Sequence, residues 1–175
     1  MQPNIRQARL EDLDQIVAVL ESSRTFLGAQ GLPQWQNGYG PSRDTAQEQV
    51  EDGRGYVVTV DGAICGYAEL VVGAAGAADL VDATWPSPYG EDYVTIHSVA
   101  IDASVRGRGI GKWMIHALIN EAAAQNLHDI RIDTHPGNHV MQRVIAVAGF
   151  THQGVCQLDI PDGERLAYQL ILPKG

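Results

Sequence analysis

The sequence predicts an α/β (α+β) fold: a mixed, mostly antiparallel central sheet with helices on both faces. Three observations lead there. An apolar run over Tyr93–Ile101, a helical pattern from Ile110 to Ala122 and a second apolar run over Ile130–Thr134 make a strand–helix–strand unit. A crossover of that length joins parallel strands. The dipeptides Asp61-Gly62 and Asp162-Gly163 each sit between β-rich runs, which marks tight antiparallel turns. Leu13, Ile16, Val17 and Leu20 recur at helical spacing and supply a layer to cover the sheet.

In chain order, Ile5–Leu10 reads as a short strand. Glu11-Asp12-Leu13-Asp14 starts a helix, with acids in its first turn. That helix is expected to end around Ser22-Ser23. Phe26 to Pro41, rich in Gly, Pro, Gln and aromatics, reads as an ordered loop of the kind that lines sites. Ser42 to Asp52 reads as a short polar helix with Asp44 as its cap. Tyr56–Val60 and Ala63–Leu70 form a hairpin around Asp61-Gly62. The stretch Val72 to Asp92 cannot be one regular element, and reads as a substrate-side excursion or a partner contact. After the strand–helix–strand unit, Val140 to Ala148 forms a helix closed by Gly149. Strands follow from Phe150 and over Arg165–Leu172.

The bulk properties bound the function. At 175 residues, 45% of them hydrophobic, residues 1–175 read as a single domain with a real core. Twelve Lys and Arg against 21 Asp and Glu give a net charge of −9. Such a chain repels nucleic acid and anionic membranes and attracts cationic substrates. No secretory pattern or membrane-length apolar run stands out, so the expected location is cytoplasmic. Cys65 and Cys156 belong to no CxxC pair and read as reduced structural thiols.

The most informative stretch is Val99-Ala100-Ile101-Asp102-Ala103-Ser104-Val105-Arg106-Gly107-Arg108-Gly109-Ile110-Gly111-Lys112. A strand enters a glycine- and arginine-rich turn, and a helix leaves it. Glycines bare the backbone N–H groups, and a helix N-terminus favours anions, so the stretch is a phosphate-binding candidate. A nucleoside-triphosphate loop is excluded: its first glycine would fall on Arg106, and its hydroxyl residue on Trp113. A dinucleotide fingerprint matches at Gly107 and Gly109 and fails at Lys112.

Arg106-x-x-Gly109-x-Gly111 after Val99-Ala100-Ile101 resembles the central motif of the GNAT acetyltransferases. Asn138, in the frame Asn-(x)10-Gly-Phe ending at Phe150, resembles the same family, as does the order of elements along nearly the whole chain. The resemblance implies acetyl-CoA as cosubstrate, with no metal. Its pyrophosphate would be held by Gly107, Arg108, Gly109, Ile110, Gly111 and Lys112, with Arg106 adding charge. Its pantetheine arm would be held by main-chain groups of Val99, Ala100 and Ile101, with Asn138 as a further polar contact. The resemblance also implies a parallel strand pair splayed at the middle, and makes a homodimer an expectation.

Amide formation from a thioester needs the free amine. The site must take a proton, stabilise an oxyanion through a backbone N–H and return a proton to the thiolate. Three residues are candidates for the base. Asp133 matches an acid used in some relatives. His97 lies just before the coenzyme strand residues and has an ordinary pKa of about 6.5. His135 shares the alternating face of Arg131 and Asp133. A structural role for each is the competing reading. His135 and His139 have i, i+4 spacing, but Pro136-Gly137 between them breaks a helix, which argues against a metal site. The sequence departs from the family at Ile145, seven residues after Asn138, where many members carry a tyrosine acid. Tyr93, Ser98, His97 or water would have to replace it.

Three functions follow. The first is an N-acetyltransferase acting on a primary amine of a small molecule or peptide. The second is a catalytically weak or inactive acyl-CoA-binding or sensory protein of the same fold. The third is a nucleotide-binding oxidoreductase, which Lys112 and Trp113 disfavour. Phe26–Pro41, Val72–Asp92 and the region after Phe150 are expected to shape the acceptor pocket.

Overall fold

Strand-length apolar runs satisfy their backbone by pairing edge to edge, and among the described residues seven strands do so in one sheet. The computed structural model describes residues 1–76 and 78–175. The strands are β1 (Pro3–Gln7), β2 (Gly55–Val60), β3 (Ala63–Val72), β4 (Tyr93–Ile101), β5 (Asp129–Thr134), β6 (Thr151–Gln157) and β7 (Glu164–Ile171). The helices are α1 (Leu13–Ala29), α2 (Arg43–Glu51), α3 (Ile110–Ala124) and α4 (His139–Val147). The strand order is β1-β2-β3-β4-β5-β7-β6. The parallel pair is β4 with β5, as the crossover through α3 demands. The expected mixed, mostly antiparallel fold is therefore the observed one.

Two compact units divide the chain. The first comprises Met1–Glu69 and Ser98–Met114. In it β1 pairs antiparallel with β2, and β2 with β3. Asp61 (φ 50°) and Gly62 (φ 85°) are both left-handed, the geometry of a two-residue hairpin turn whose twist matches the strands. On α1, Leu13, Ile16, Val19 and Leu20 are buried. They pack with Ala46, Val50, Val57, Tyr67 and Ala100.

Several boundaries in this unit differ from expectation. β1 stops at Gln7, because Leu10–Asp12 turns into a 3₁₀ segment. The Asp12 carboxylate holds that turn. It accepts both Arg6 nitrogens at 2.7 and 2.9 Å and the Arg9 N–H at 2.8 Å. The Arg6 hydrogen bonds, chiefly, keep Asp12 below the usual carboxylate range. α1 continues through Ser22-Ser23 to Ala29, so Phe26 is helical rather than in a loop. The cap of α2 is Ser42, not Asp44: Ser42 and Thr45 exchange hydrogen bonds as a capping box.

The second unit comprises Leu70–His97 and Ile115–Gly175. Tyr93↔Asp129 through Ile96↔Ile132 are the parallel pairs of β4 and β5. β7 pairs antiparallel with both β5 and β6. Among its described residues the 72–92 segment has no helix or long strand, and its anchors pack on its own unit. Leu80 bridges to Cys156, and the Val81 N–H donates to the Val155 carbonyl at 2.8 Å. The Tyr89 hydroxyl donates to the Leu172 carbonyl at 2.5 Å. Ala77, inside this segment, lies outside the described residues.

Arg131 is buried between aromatic rings, 3.6 Å from the Tyr93 centroid and 4.6 Å from that of Trp85. It is paired with Asp129 at 2.9 Å, and Gln169 donates to the same carboxylate at 3.0 Å. Burying an ion pair is offset only when further hydrogen bonds satisfy it, and Gln169 supplies one here.

Candidate functional site

The glycine turn lies in the first unit. β4 ends at Ile101, a 3₁₀ segment covers Ala103–Val105, and α3 begins at Ile110. Gly107 (φ 78°) and Gly109 (φ 80°) are left-handed, a conformation that other residues adopt only at a cost. A Cβ at either would meet nothing within 4 Å, so the backbone conformation, not crowding, requires glycine there. The Gly109 carbonyl accepts the Trp113 N–H at 3.0 Å, which places Gly109 at the helix entry. The amides of Ile110, Gly111 and Lys112 belong to the first turn, where no intrahelical acceptor exists. Arg108 and Lys112 are exposed beside them, in a chain of net charge −9. The Ile110 side chain is buried, leaving its backbone for any contact. Open space above left-handed glycines, orphan amides and exposed cations fit a pyrophosphate.

Two assignments change. Ile101 does not offer free main-chain groups. Its N–H donates to Ser23 Oγ at 2.9 Å, and its carbonyl accepts Ser23 Oγ at 3.1 Å and Arg106 at 2.8 Å. Arg106 is half-buried, with its guanidinium 4.1 Å from the centre of the Phe26 ring. Burial lowers its pKa from the ordinary arginine value. It braces the strand end and is not a freely presented cation. Ser22 Oγ accepts the Ala103 N–H at 2.9 Å. Asp102 accepts the Ser104 N–H at 2.9 Å and hydroxyl at 2.5 Å, and these bonds hold its carboxyl below its usual range. The sequence reading missed Ser22 and Ser23 because adjacent serines signal a helix end.

The candidate acid–base groups lie in the second unit. The pairing of β4 with β5 ends at Ile96↔Ile132; His97 and Asp133 are the next residues on the two strands, alternating to the face of Tyr93 and Arg131, and the charge of His97 acts on Asp133. Burial pushes the Asp133 carboxyl above its ordinary value, and the charges of His97 and Arg165 offset part of that rise. Cys156, beside Asp133, is pushed up to about 11, chiefly by burial and then by the carboxylate. Cys65 is raised likewise by burial. Neither thiol is an activated nucleophile. The Nε2 of His97 meets the Gly76 carbonyl. A carbonyl only accepts, so this nitrogen carries a proton, and in the neutral ring Nδ1 keeps its lone pair.

His135 is arranged differently. Its Nδ1 accepts the Gly137 N–H at 3.0 Å, which braces the Pro136-Gly137 turn. Its Nε2 lies 3.4 Å from Asp162. The neutral ring then has its proton on Nε2 and no spare lone pair to serve as base. Asn138, which the resemblance assigns to the coenzyme arm, is the N-cap of α4, and its Oδ1 accepts the Met141 N–H at 3.1 Å. Ile145 is fully buried, so the usual acid position points into the core. Tyr93 is buried against Arg131. Ser98 (φ 57°) is a left-handed residue inside β4, immediately after His97. Among the described residues, no three His, Cys, Asp or Glu side chains converge on a metal site. Among them, too, no helix is long and apolar enough to cross a membrane.

Residues 24–150 match the model of the acetyltransferase (GNAT) family, and the chain belongs to that family. A GNAT-family acetyltransferase from Streptococcus agalactiae has 31% identity and a TM-score of 0.86, over 98% of this chain and 96% of that one. The yncA protein of Salmonella typhimurium, in a structure with its cofactor acetyl-CoA, has 21% identity and a TM-score of 0.71, over 100% and 96%. An aminoglycoside acetyltransferase, AAC(6')-Ib, in complex with coenzyme A, has 22% identity and a TM-score of 0.70, over 97% and 95%. No curated protein matches the chain.

Proposed function

We propose that this protein transfers an acetyl group from acetyl-CoA to a primary amine of a small molecule or peptide, by direct attack of the free amine. The observation that carries the reading is the Gly107–Lys112 turn: left-handed glycines over open space, at the start of a helix, flanked by exposed Arg108 and Lys112. Two relatives of the same fold were solved with acetyl-CoA or coenzyme A. In this reading the main chain of Val99 and Ala100 and the amides of the Gly107–Lys112 turn hold the coenzyme, except that of Arg108, which donates to the Val105 carbonyl at 3.3 Å. Ser23, Phe26 and Arg106 brace that strand end.

The bound coenzyme supplies an activated acetyl thioester. His97 supplies the base. Its Nδ1 takes the ammonium proton of the acceptor, and Asp133 lies beside the imidazolium that results. The second proton, released by the attacking nitrogen as the amide forms, goes to the departing sulfur, so no separate acid at Ile145 is needed. Net charge −9 favours a cationic acceptor. Residues of the 72–92 segment and of β6 lie near the acid–base pair and shape acceptor entry.

A second reading rests on Ile145. With the family's acid position buried and apolar, the protein binds acyl-CoA as a sensor and turns over slowly. Thermal shift with acetyl-CoA and with NAD tests the donor site: stabilisation by acetyl-CoA alone is expected, and its absence overturns both readings. Free-thiol release with a panel of diamines, aminoglycosides and peptide N-termini then separates the two. Turnover with any of them supports the enzyme, and release no faster than the uncatalysed rate supports the sensor.

A further inference from the structure

We infer that Gly76 is a positioning residue: its carbonyl fixes the tautomer and ring orientation of His97, leaving Nδ1 as the proton acceptor. This rests on the proton role proposed above for His97. A base acts well when a third group orients it and stabilises the charge it gains. Here the contact of Nε2 with the Gly76 carbonyl provides both functions. When Nδ1 takes a proton, the Nε2–H bond to that carbonyl becomes charge-assisted and strengthens.

The turn that carries Gly76 is built to hold it. The Gly76 N–H donates to the Gly73 carbonyl at 3.0 Å, and the Gly73 N–H donates to the Tyr93 carbonyl at 2.8 Å. Tyr93 opens the strand that carries His97, so the acceptor and the imidazole are referenced to the same element. A Cβ on Gly76 would lie 2.9 Å from Val71 Cβ, 3.0 Å from Val71 Cγ1 and 3.0 Å from the Val71 carbonyl. None of these is the end of a flexible side chain, so the carbonyl's position requires glycine. Asp133 on β5 is the charged group that interacts with His97, and Asp133 in turn interacts with Cys156 on β6 and Arg165 on β7.

The test uses the full-length chain, uniformly labelled with ¹⁵N-histidine, together with steady-state kinetics. The His97 resonances are identified by their loss in His97→Gln. The expected wild-type ring at neutral pH is the Nε2–H form. In Gly76→Ala the ring loses that single form, kcat falls about tenfold or more, the ascending limb of the pH–rate profile moves to lower pH, and acetyl-CoA affinity is unchanged. The double variant Gly76→Ala/Val71→Gly removes the Val71 Cβ and Cγ1 that crowd the new Cβ, leaves only the Val71 carbonyl at 3.0 Å, and restores the ring state and kcat in part. It also guards against a Gly76→Ala chain that does not fold. An Nδ1–H ring in the wild type, or a ring state and pH profile unmoved in Gly76→Ala, overturns the inference while leaving the base assignment intact, provided His97→Gln is impaired. Full activity in His97→Gln overturns the base assignment and this inference together.

Discussion

Ser23→Ala removes one oxygen that makes two hydrogen bonds to a single residue. Ser23 is buried, 7% exposed, and its Oγ accepts the Ile101 N–H at 2.9 Å while donating to the Ile101 carbonyl at 3.1 Å. The carbonyl keeps Arg106 at 2.8 Å after the change, so only the amide is orphaned. An orphaned, partly buried N–H costs about 1–2 kcal/mol. For a chain of this size that lowers Tm by about 3–6 °C. Ser22→Ala is the internal control. Its Oγ accepts the Ala103 N–H at 2.9 Å at an exposed position, where water can substitute, and its loss should cost less than about 1 kcal/mol. Ser23→Thr keeps the hydroxyl and should lie between wild type and Ser23→Ala. Thermal melts and urea titrations of the four proteins give the stabilities. Because Ile101 ends the strand that carries Val99 and Ala100, Ser23→Ala should also raise KM for acetyl-CoA and change kcat little. A Tm for Ser23→Ala within about 1 °C of wild type, or an equal loss in Ser22→Ala, would refute the assignment of Ser23 as the strand's brace.

Gly109→Ala forces a Cβ onto a left-handed residue that has room for it, so it should destabilise by about 1–2 kcal/mol through the backbone alone and raise KM for acetyl-CoA; chemical melts and kinetics check both. Asp133 has a folded-state pKa raised by burial, so its protonated form favours the native state and its ionisation opposes it. Its stabilising share is therefore full below the unfolded value of about 3.9 and is lost as pH rises through the folded value. Asp133→Asn should consequently gain stability relative to wild type as pH increases, while its kcat falls; a stability difference that is flat with pH would contradict the burial argument. Cys65 and Cys156 are 3% and 1% exposed, and Cys156 is pushed up to about 11. Iodoacetamide at neutral pH should leave both intact in the native protein and label both in urea, as intact mass would report. Arg131→Leu leaves the Asp129 carboxylate buried with Gln169 alone, and should cost about 3–5 kcal/mol by urea titration.

Much of the fold was legible because its signals are local. Tyr93–Ile101 was read with the bounds later observed, since an apolar run between a polar loop and a glycine turn has few alternatives. The Asp61-Gly62 hairpin was equally plain, since few other dipeptides take two left-handed residues in succession. α1 was misjudged at Ser22-Ser23. Serine lowers helix propensity on average, but here Ser23 bonds the end of a distant strand and Ser22 bonds the 3₁₀ turn that follows it, and those contacts outweigh propensity. The cap of α2 was placed two residues late, because Ser42 with Thr45 closes a reciprocal pair that Asp44 cannot.

The glycine turn itself was legible, with Gly107 and Gly109 left-handed before a helix, whereas its bracing was not. Phe26 under Arg106 and Ser23 on Ile101 span long sequence separations that no local pattern encodes. The acid–base groups show the same division. Sequence alternation put Asp133 and His135 on one face, but only the structure separates them: His135 bonds its own turn, and Asp133 lies within the electrostatic reach of His97.

By itself, then, the sequence determined the element order, the parallel pair and a glycine turn whose backbone can accept an anion, because period, turn chemistry and crossover length are local properties of the chain. Tertiary structure decided what each polar side chain is free to do. A hydroxyl, a guanidinium or an imidazole has a limited set of donors and acceptors, and only the fold shows which are already used. Ile101, Arg106 and His135 proved to be engaged, and the Nε2 of His97 is fixed on a backbone carbonyl.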